Sequence, residues 1–439
     1  MHTETVPDRS LHHEAAVATD SRAPAEEPAE APIHPAGKAP AEVQREAALT
    51  TGTQTREAIN LRVLSYDAAR AVFRAAKKID AAALIFEIAR SEIGYSAQRP
   101  GEYATNVLAA AIAEGWRAPV FIQGDHFQIS AKKYAADANA EIAAVRDLTR
   151  EAVAAGFFNV DIDTSTLVDI SKATIPEQQA LNASLSALFT VYIRSLEPPG
   201  VIISVGGEIG EVGGHNSTEA ELRAYMDGYQ AELANLAPAA PGLSKISIQT
   251  GTSHGGVVLP DGSIARVSVD FEALRDLSRV ARADYGLAGT VQHCASTLPE
   301  EAFGKFVEYE AAEVHLATNF MTMFYERIPG SLRSEMYAWL GANSASERKA
   351  DMTDEQFYYK ARKNALGAFK ARIWGLPPVA REELGAAWEA QFDKLFKSLG
   401  LAGTQQYVEK FIPLMAVAPR LVDYLGAEAA AGDVKDLAD

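Results

Sequence analysis

The segment Val120-Phe121-Ile122-Gln123-Gly124-Asp125-His126 joins an apolar, β-prone run to an acid and a histidine. A strand that ends at such a pair would bring a base and a metal ligand to one edge of a sheet. Two later segments, Ser253-His254-Gly255 and Gln292-His293-Cys294, also place a histidine directly after a predicted strand. The fold decides whether the three imidazoles meet.

Strands and helices are predicted to alternate along most of the chain. The predicted strands cover residues 59–65, 82–87, 119–124, 157–163, 201–205, 245–250, 289–293 and 314–318. The predicted helices cover residues 67–78, 102–115, 141–155, 177–195, 218–236, 271–283 and 299–308, with a hairpin around residues 260–262. Such alternation is typical of an α/β protein with a parallel sheet, and eight repeats most simply close as a (β/α)8 TIM barrel. An open, doubly wound sheet is the alternative.

The regions on either side of the predicted barrel differ from it in composition. Residues 1–56 are rich in Ala, Pro, Glu and Thr and have few large apolar side chains, so we expect a disordered tail. Residues 57–330 are expected to form the barrel. Residues 331–439 are predicted to form a helical extension that packs on the barrel or on a neighbouring subunit, which favours a homodimer or a larger homo-oligomer.

Net charge and cysteine content limit the classes of function. The 439-residue chain has a formal net charge of −17 at pH 7, which argues against nucleic-acid and anionic-membrane partners because both bind basic surfaces. Cys294 is the only cysteine, which excludes an intrachain disulfide and a zinc site built from several thiolates. No run approaches the roughly 18 apolar residues of a membrane span, and no secretory signal is predicted. We therefore expect a cytoplasmic protein.

Three histidines lie at the ends of predicted strands that a barrel would bring together. His126, His254 and His293 follow the third, sixth and seventh strands. In a (β/α)8 barrel the C-terminal ends of the strands form the active-site face. Three imidazoles with an open fourth position are typical of a catalytic divalent-metal site, with zinc as the first choice. His315 lies inside the eighth predicted strand and is interpreted as a satisfied core residue.

Acidic side chains lie at the ends of neighbouring strands. Asp125 precedes His126, and we interpret it as a general acid or base next to a metal-bound substrate. Asp163 and Glu208 follow the fourth and fifth strands, and they are candidates for a second metal position or for orienting the histidines. The alternative for each acid is an N-cap of the following helix.

Glycines and polar side chains on the same face predict an anion site. The loop at residues 206–214 contains five glycines and is interpreted as a mobile lid or as a backbone cradle for an anion, with a plain flexible connection as the alternative. Barrels often bind phosphate at neighbouring strand ends, where this chain has Gly255, Ser296 and Asn319.

Several motifs occur in a fixed order between residues 58 and 375. They are Asp125-His126, Glu208-Ile209-Gly210-Glu211-Val212-Gly213-Gly214, Gly251-Thr252-Ser253-His254-Gly255, His293, Asn319 and Tyr358-Tyr359-Lys360-Ala361-Arg362. Together they resemble the motifs of the class II, metal-dependent aldolases, the ketose-bisphosphate aldolase family that acts on fructose and tagatose bisphosphates. The histidine motifs are the most specific part of this resemblance.

The resemblance implies a site and a reaction. The reaction is a reversible aldol cleavage in which a divalent metal, Zn²⁺ or else Co²⁺, Mn²⁺ or Fe²⁺, polarises a ketone and stabilises an enediolate. It implies that His126, His254 and His293 bind the metal, that Asp163 and Glu208 belong to an accessory metal position, and that Asp125 and His215 are acid/base residues. The phosphate site that it implies consists of Gly255, Ser296, Asn319, Thr322 and Arg362.

The chain departs from the family pattern at positions that concern the substrate. Cys294 and Ala295 replace two glycines, and their side chains would crowd a backbone cradle for phosphate; Met321 replaces an acid. Our main hypothesis is a metal-dependent aldolase acting on a small phosphorylated or otherwise anionic ketose. The competing hypothesis is a non-catalytic barrel subunit that supports a tagatose-bisphosphate aldolase partner, whose sequences residues 86–101 also resemble. A metal-dependent hydrolase is the third hypothesis.

Overall fold

The computed structural model describes residues 55–210, 215–251, 259–260, 265, 269–293, 295 and 298–412. The predicted tail up to residue 54, the centre of the predicted hairpin and the end of the predicted extension lie outside the described residues.

Eight parallel strands form one closed barrel in the order of the sequence, and the last strand pairs with the first. The strands are β1 Arg56–Asn60, β2 Leu84–Ala89, β3 Phe121–Gln128, β4 Asn159–Asp163, β5 Ser204–Glu208, β6 Lys245–Ile248, β7 Thr290–Gln292 and β8 Glu313–Leu316. The predicted (β/α)8 barrel is confirmed, and the open-sheet alternative is wrong.

Helices connect the strands and continue after the last one. Those between strands are α1 Ser65–Lys77, α2 Arg90–Ser96, α3 Pro100–Ala113, α4 Ala131–Ala136, α5 Ala138–Ala154, α6 Ile175–Leu196, α7 Glu219–Leu236, α8 Phe271–Tyr285 and α9 Glu301–Glu308. Those after β8 are α10 Thr318–Arg327, α11 Gly330–Asn343, α12 Asp354–Ala361, α13 Ala365–Ala368, α14 Lys370–Trp374, α15 Pro378–Ser398 and α16 Gln405–Phe411. None of the helices in the described part of the chain combines the length and the apolar run needed to cross a bilayer.

Local sequence explains where individual helices begin. Thr218 precedes α7, and its hydroxyl accepts a hydrogen bond from the backbone N–H of Glu221 at 3.3 Å. The Glu221 carboxylate accepts one from the backbone N–H of Thr218 at 2.8 Å in return. This reciprocal pair satisfies backbone donors that the first turn of a helix leaves without a partner.

The largest differences from the predicted strand positions are in β1, β3 and β5. β1 begins at Arg56, inside the predicted tail, and the buried apolar residues Leu61, Val63 and Leu64 belong to the connection to α1. β5 begins at Ser204, three residues later than predicted, and β3 continues to Gln128. Apolar composition therefore located the strands but not their ends.

The inner and outer faces of the barrel have opposite character. Alternation along the strands directs apolar side chains such as Phe86 and Ile246 toward the helices, which bury them. The inward positions contain charged and amide groups instead, all buried: Arg56, Glu87, Gln123, Asp161, Lys245 and Glu313. Lys245 Nζ lies 3.0 Å from Asp161 Oδ1 and donates to Gln123 Oε1 at 2.6 Å. The barrel interior thus contains a polar network. This network lies beneath the residues at the C-terminal strand ends that are described below.

The described helices after β8 pack on the barrel of the same chain. Arg74 Nε of α1 lies 2.5 Å from Glu389 Oε2 of α15. The indole of Trp388, also in α15, is fully buried and donates to the Phe320 carbonyl at 3.2 Å. These contacts attach α15 to α1 and to the segment that follows β8.

Candidate active site

A cavity of about 840 Å³ opens at the C-terminal ends of the strands. Its lining includes Asp125, His126, His293 and His315. The remaining wall comes from the ends of β1 and β2, from α2, and from α10 and α12. This is the face at which (β/α)8 barrels carry their active sites.

An irregularity near the end of β3 directs two consecutive side chains into the cavity. The pairing of β3 with β4 shifts between Gly124 and Phe127, where β3 has one more residue than its neighbour. His126, within this bulge, has a positive φ of 40°, which is unusual for a residue with a side chain. Regular alternation would send Asp125 and His126 to opposite faces, whereas here both line the cavity.

His126 lies among three carboxylates. Its Nδ1 is 3.2 Å from Glu208 Oε2 and 3.4 Å from Asp163 Oδ2, and its Nε2 is 3.9 Å from Asp125 Oδ1. Burial disfavours the charged imidazole, but Asp125 and Glu208 outweigh burial and raise the pKa of His126 well above its usual value.

His293 occupies the centre of a row of imidazoles. Its ring centroid lies 4.3 Å from that of His126 and 4.3 Å from that of His315. His293 Nε2 is 2.7 Å from Ser247 Oγ of β6, and its Nδ1 is 3.9 Å from Asp125 Oδ1. The ring is therefore oriented from one side by Ser247 and faces Asp125 on the other.

His315 is the third imidazole of the row, and its surroundings differ from those expected for a residue interpreted as part of the core. It is buried and has carboxylate partners, as a satisfied core residue would, but it also lines the cavity. Its Nε2 lies 2.8 Å from Glu313 Oε1, and its Nδ1 lies 3.0 Å from Glu87 Oε2 and 3.3 Å from Asp125 Oδ1. The signal in the sequence is period-two alternation: Glu313 and His315 share one face of β8, and that face is the inner one.

The carboxylates of the cluster have opposite protonation tendencies. Burial raises the pKa of Glu208 to about 7, and the neighbouring Asp163 contributes in the same direction. Burial also opposes ionisation of Asp125 and Asp163, but the adjacent imidazoles outweigh it and lower the pKa of both. A hydrogen bond from Gln128 Nε2 to Asp163 Oδ2 at 2.5 Å further favours the Asp163 anion.

The donor set fits a divalent metal ion. Ligand atoms of His126, Glu208 and His293 lie within 4.8 Å of one another, as do those of Asp125, His293 and His315. Imidazole nitrogens and carboxylate oxygens suit zinc and related divalent ions.

The structure describes all of the predicted metal ligands except His254. The structure brings His126, His293 and Glu208 together and places Asp163 against His126. His254 lies outside the described residues.

The structure describes three of the five predicted phosphate residues, Asn319, Thr322 and Arg362. Gly255 and Ser296 lie outside the described residues, and Asn319 is half-buried at the start of α10. Arg362 is buried, donates to Thr322 Oγ1 at 2.7 Å and lies 4.0 Å from the ring centroid of Tyr359. Tyr359 lines the cavity, so its ring separates the Arg362 guanidinium from that space.

The predicted catalytic His215 is held at the start of α7. Its Nδ1 lies 2.8 Å from the Asn216 carbonyl oxygen, and its Nε2 lies 3.8 Å from Glu221 Oε1. The described contacts of His215 thus connect it to α7, whereas Asp125 contacts the imidazole row. The glycine-rich residues 211–214 before it lie outside the described residues.

The sequence reading missed a set of cations in the cavity wall. These are Arg62, Arg90, Lys133, Lys360 and Lys363. Arg62 lies 2.7 Å from Glu92, and Arg90 lies 2.5 Å from Glu141, so carboxylates already accompany both arginines. No single sequence motif predicts these cations, because they come from distant segments of the chain.

Comparison with known proteins identifies a family for this sequence. A family model described as "Fructose-bisphosphate aldolase class-II" matches residues 49–373. No curated protein matches the chain in a sequence search.

Several solved structures are similar to this chain at low sequence identity, and the first two below, with TM-scores above 0.5, have the same fold. A probable tagatose 6 phosphate kinase from Sinorhizobium meliloti 1021 is 14% identical, with a TM-score of 0.55 over 82% of this chain and 99% of that one. The fructuronate-tagaturonate epimerase UxaE from Cohnella laeviribosi is 12% identical, with a TM-score of 0.53 over 79% of this chain and 81% of that one. A fructose-bisphosphate aldolase from Campylobacter jejuni is 17% identical, with a TM-score of 0.48 over 84% and 98%.

The family and the fold support an aldolase-type function. Because the family model covers most of the sequence, including every strand of the barrel, the chain belongs to the class II fructose-bisphosphate aldolase family.

Proposed function

We propose that this protein is a divalent-metal-dependent aldolase that reversibly cleaves a small phosphorylated or otherwise anionic ketose. The observation that carries the proposal is the position of Asp125, whose Oδ1 lies within 3.9 Å of nitrogens from His126, His293 and His315. A carboxylate so placed adjoins any substrate oxygen that binds beside the imidazoles.

Asp125 is suited to transfer a proton at the substrate. Aldol cleavage needs a base that removes the proton of the hydroxyl on the carbon β to the ketone, after which the carbon–carbon bond breaks and its electron pair moves toward the carbonyl. Burial opposes ionisation of Asp125, but the imidazoles outweigh it and lower the pKa, so the carboxylate is ionised. Its position beside the three imidazoles, and not the direction of this shift, supports its role as the group that accepts the proton. When bound, a divalent metal such as Zn²⁺ would supply Lewis-acid polarisation of the ketone, held by His126, Glu208 and His293.

The cavity wall supports an anionic substrate. Lys133, Lys360 and Lys363 line it, and within the described part of the chain no carboxylate forms an ion pair with any of them. The whole chain carries a net charge of −17, so this local excess of positive charge is opposite in sign to the net charge of the protein. Such a patch raises the local concentration of an anionic ligand.

Replacing the proposed base tests this function. We expect Asp125→Asn to lower kcat for cleavage of fructose or tagatose bisphosphate by about 10²–10⁴-fold, because proton transfer by a positioned side chain typically contributes that much. Products are identified by NMR, so that carbon–carbon cleavage is distinguished from epimerisation and hydrolysis. Metal content is measured for each variant, so that a loss of rate is not confused with a loss of metal.

Asp147→Asn is the matched control, since this aspartate is exposed on α5 and pairs only with Arg150 among the described residues. Its kinetics should equal those of the wild type. A fully active Asp125→Asn variant would refute the assignment. So would a metal-loaded wild type that cleaves none of a panel of phosphorylated and other anionic ketoses that includes both bisphosphates.

A further inference from the structure

The three imidazoles of the cavity share one arrangement. In each ring, one nitrogen is next to an oxygen that orients it: Glu208 for His126 Nδ1 at 3.2 Å, Ser247 for His293 Nε2 at 2.7 Å, and Glu313 for His315 Nε2 at 2.8 Å. An oxygen on the far nitrogen fixes the tautomer and orientation of metal-binding histidines.

The second nitrogen of every ring lies near the same atom, and His315 Nδ1 lies closer still to Glu87 Oε2, at 3.0 Å. The distances to Asp125 Oδ1 are 3.9 Å from His126 Nε2, 3.9 Å from His293 Nδ1 and 3.3 Å from His315 Nδ1. At zinc–nitrogen and zinc–oxygen distances of about 2.0–2.2 Å, tetrahedral ligand atoms lie roughly 3.3–3.5 Å apart. The spacing around Asp125 is close to that value.

We propose that Asp125, His293 and His315 form a second, inner position for the divalent metal, with His315 as a direct ligand. The inference rests on the metal dependence proposed above and adds a ligand that neither the strand-end pattern nor the family motifs assign. The inner position shares His293 with the position formed by His126, Glu208 and His293. Because it also uses the carboxylate of Asp125, an ion there and proton transfer by Asp125 exclude each other.

A neighbouring group of donors is unsuited to a cation. Ligand atoms of Asp161, Glu313 and His315 also lie within 4.8 Å of one another. However, Lys245 already forms ion pairs with both acids, and Arg56 lies 2.9 Å from Glu313. These buried cations neutralise the acids, which leaves Glu313 as the orienting partner of His315.

The alternative role for His315 is that of a buried cation between Glu87 and Glu313. The two roles differ in one measurable property: only a ligand has direct contact with the metal. Cysteine is the informative replacement because its sulfur lies close to the position of imidazole Nδ1, the nitrogen that faces Asp125.

The experiment uses Co²⁺ with the full-length protein. Cys294→Ser is introduced into every variant so that only the new thiol can respond, and His315→Cys is compared with Ser91→Cys. Ser91 also lines the cavity but lies outside the donor cluster. We expect Co²⁺ to give a thiolate-to-cobalt charge-transfer band in the near ultraviolet with His315→Cys and no such band with Ser91→Cys.

A second variant keeps the test valid if His315→Cys does not fold. His315→Gln retains a polar side chain, and it is introduced together with His126→Ala, which removes a ligand of the other position. We expect the double variant to bind Co²⁺ more than about 100-fold more weakly than His126→Ala alone, beyond the roughly 10- to 100-fold effect of an orienting partner. Circular dichroism establishes folding. A folded His315→Cys variant without the band, or a smaller loss of affinity in the double variant, overturns the inner position.

Failure of the inner position is distinguishable from failure of the proposed function. Wild-type protein that binds no Co²⁺ contradicts metal dependence itself. Co²⁺ that binds in a manner sensitive to His126→Ala but not to His315→Gln leaves the proposed function intact and removes only the inner position.

Discussion

At the scale of single residues, Gly124 permits the bulge that carries the acid and the first histidine. An added Cβ at residue 124 would lie 2.5 Å from Cζ of Phe127, whose ring is fully buried. The positive φ of His126 costs on the order of 1–3 kcal/mol, and it persists because packing and the surrounding carboxylates hold the loop in place. Strain at this point is thus part of how the site is built.

Gly124→Ala should disturb both stability and metal binding. The new methyl group must displace the Phe127 ring from a packed core, so we expect the free energy of unfolding to fall by about 1–3 kcal/mol. Because the same movement shifts Asp125 and His126, Co²⁺ affinity should fall as well. Denaturant unfolding and Co²⁺ titration measure the two effects.

Gly341→Ala is the control for this substitution. Gly341 lies in α11 with no atom within 4 Å of an added Cβ, so alanine should leave metal binding unchanged and stabilise the fold by up to about 1 kcal/mol. Equal effects of the two substitutions would show that the contact with Phe127 does not set the geometry of β3.

Some residues of the site follow from the sequence because a strand end fixes where a side chain is delivered. Asp125, His126 and His293 meet for that reason. The position of His315 in the cavity is harder to predict from the sequence. Its strand begins at Glu313, and an acidic residue does not indicate a buried strand position. The partners that make Glu313 tolerable there, Lys245 and Arg56, come from distant strands. Their contacts exist only once the barrel has closed.

At the scale of secondary-structure elements, β5 shows why strand positions were harder to predict than strand number. Apolar residues favour a strand at residues 201–205, but the strand is Ser204–Glu208 and contains two glycines. An added Cβ at Gly206 would overlap the Asp161 carboxylate, and one at Gly207 would lie 2.5 Å from the Tyr225 hydroxyl. Side chains packed on both faces of β5 therefore leave room only for glycine at these two positions, although glycine has a low β propensity.

The polar interior of the barrel gives a second element-scale prediction. Lys245 of β6 is the buried cation between Asp161 of β4 and Glu313 of β8. Lys245→Met leaves both acids without this partner in an interior that water does not reach. We expect the free energy of unfolding to fall by about 3–5 kcal/mol, as measured by denaturant unfolding.

A double-mutant cycle separates this charge effect from packing. Adding Asp161→Asn to Lys245→Met removes the acid that lies 3.0 Å from Lys245, so the double variant should be more stable than the sum of the two single effects predicts. Additive losses would mean that Lys245 contributes through its packed alkyl chain and not through its charge.

At the scale of the whole molecule, the helices after the barrel complete the cavity. Thr318 and Met321 of α10 and Tyr359 and Lys360 of α12 line it together with the strand ends. The sequence predicts a helical extension in this region but not that it forms part of the cavity wall, because amphipathic helices alone do not reveal which surface they cover. Oligomerisation through this extension stays a prediction.

The attachment of the C-terminal helices to the barrel gives a prediction about pH. Glu389 of α15 lies 2.5 Å from Arg74 Nε and 2.7 Å from Lys78 Nζ, both in or next to α1. Burial favours the protonated carboxyl, but the two cations outweigh burial and lower the pKa of Glu389 below its ordinary value of 4.5. A carboxyl whose pKa is lowered by folding stabilises the folded state above its unfolded pKa, and that contribution is lost as the pH falls through the folded pKa.

Glu389→Gln should therefore lower the free energy of unfolding by about 1 kcal/mol at pH 7, the upper end for a partly exposed ion pair. The difference from the wild type should stay constant down to about pH 4.5 and then shrink as the wild-type carboxylate takes up its proton. Denaturant unfolding at several pH values between 7 and 4 measures this difference. Glu383→Gln, an exposed position of the same helix, should show no difference at any of these pH values. A Glu389→Gln deficit that persists unchanged at the lowest pH would mean that shape and not charge joins α15 to α1.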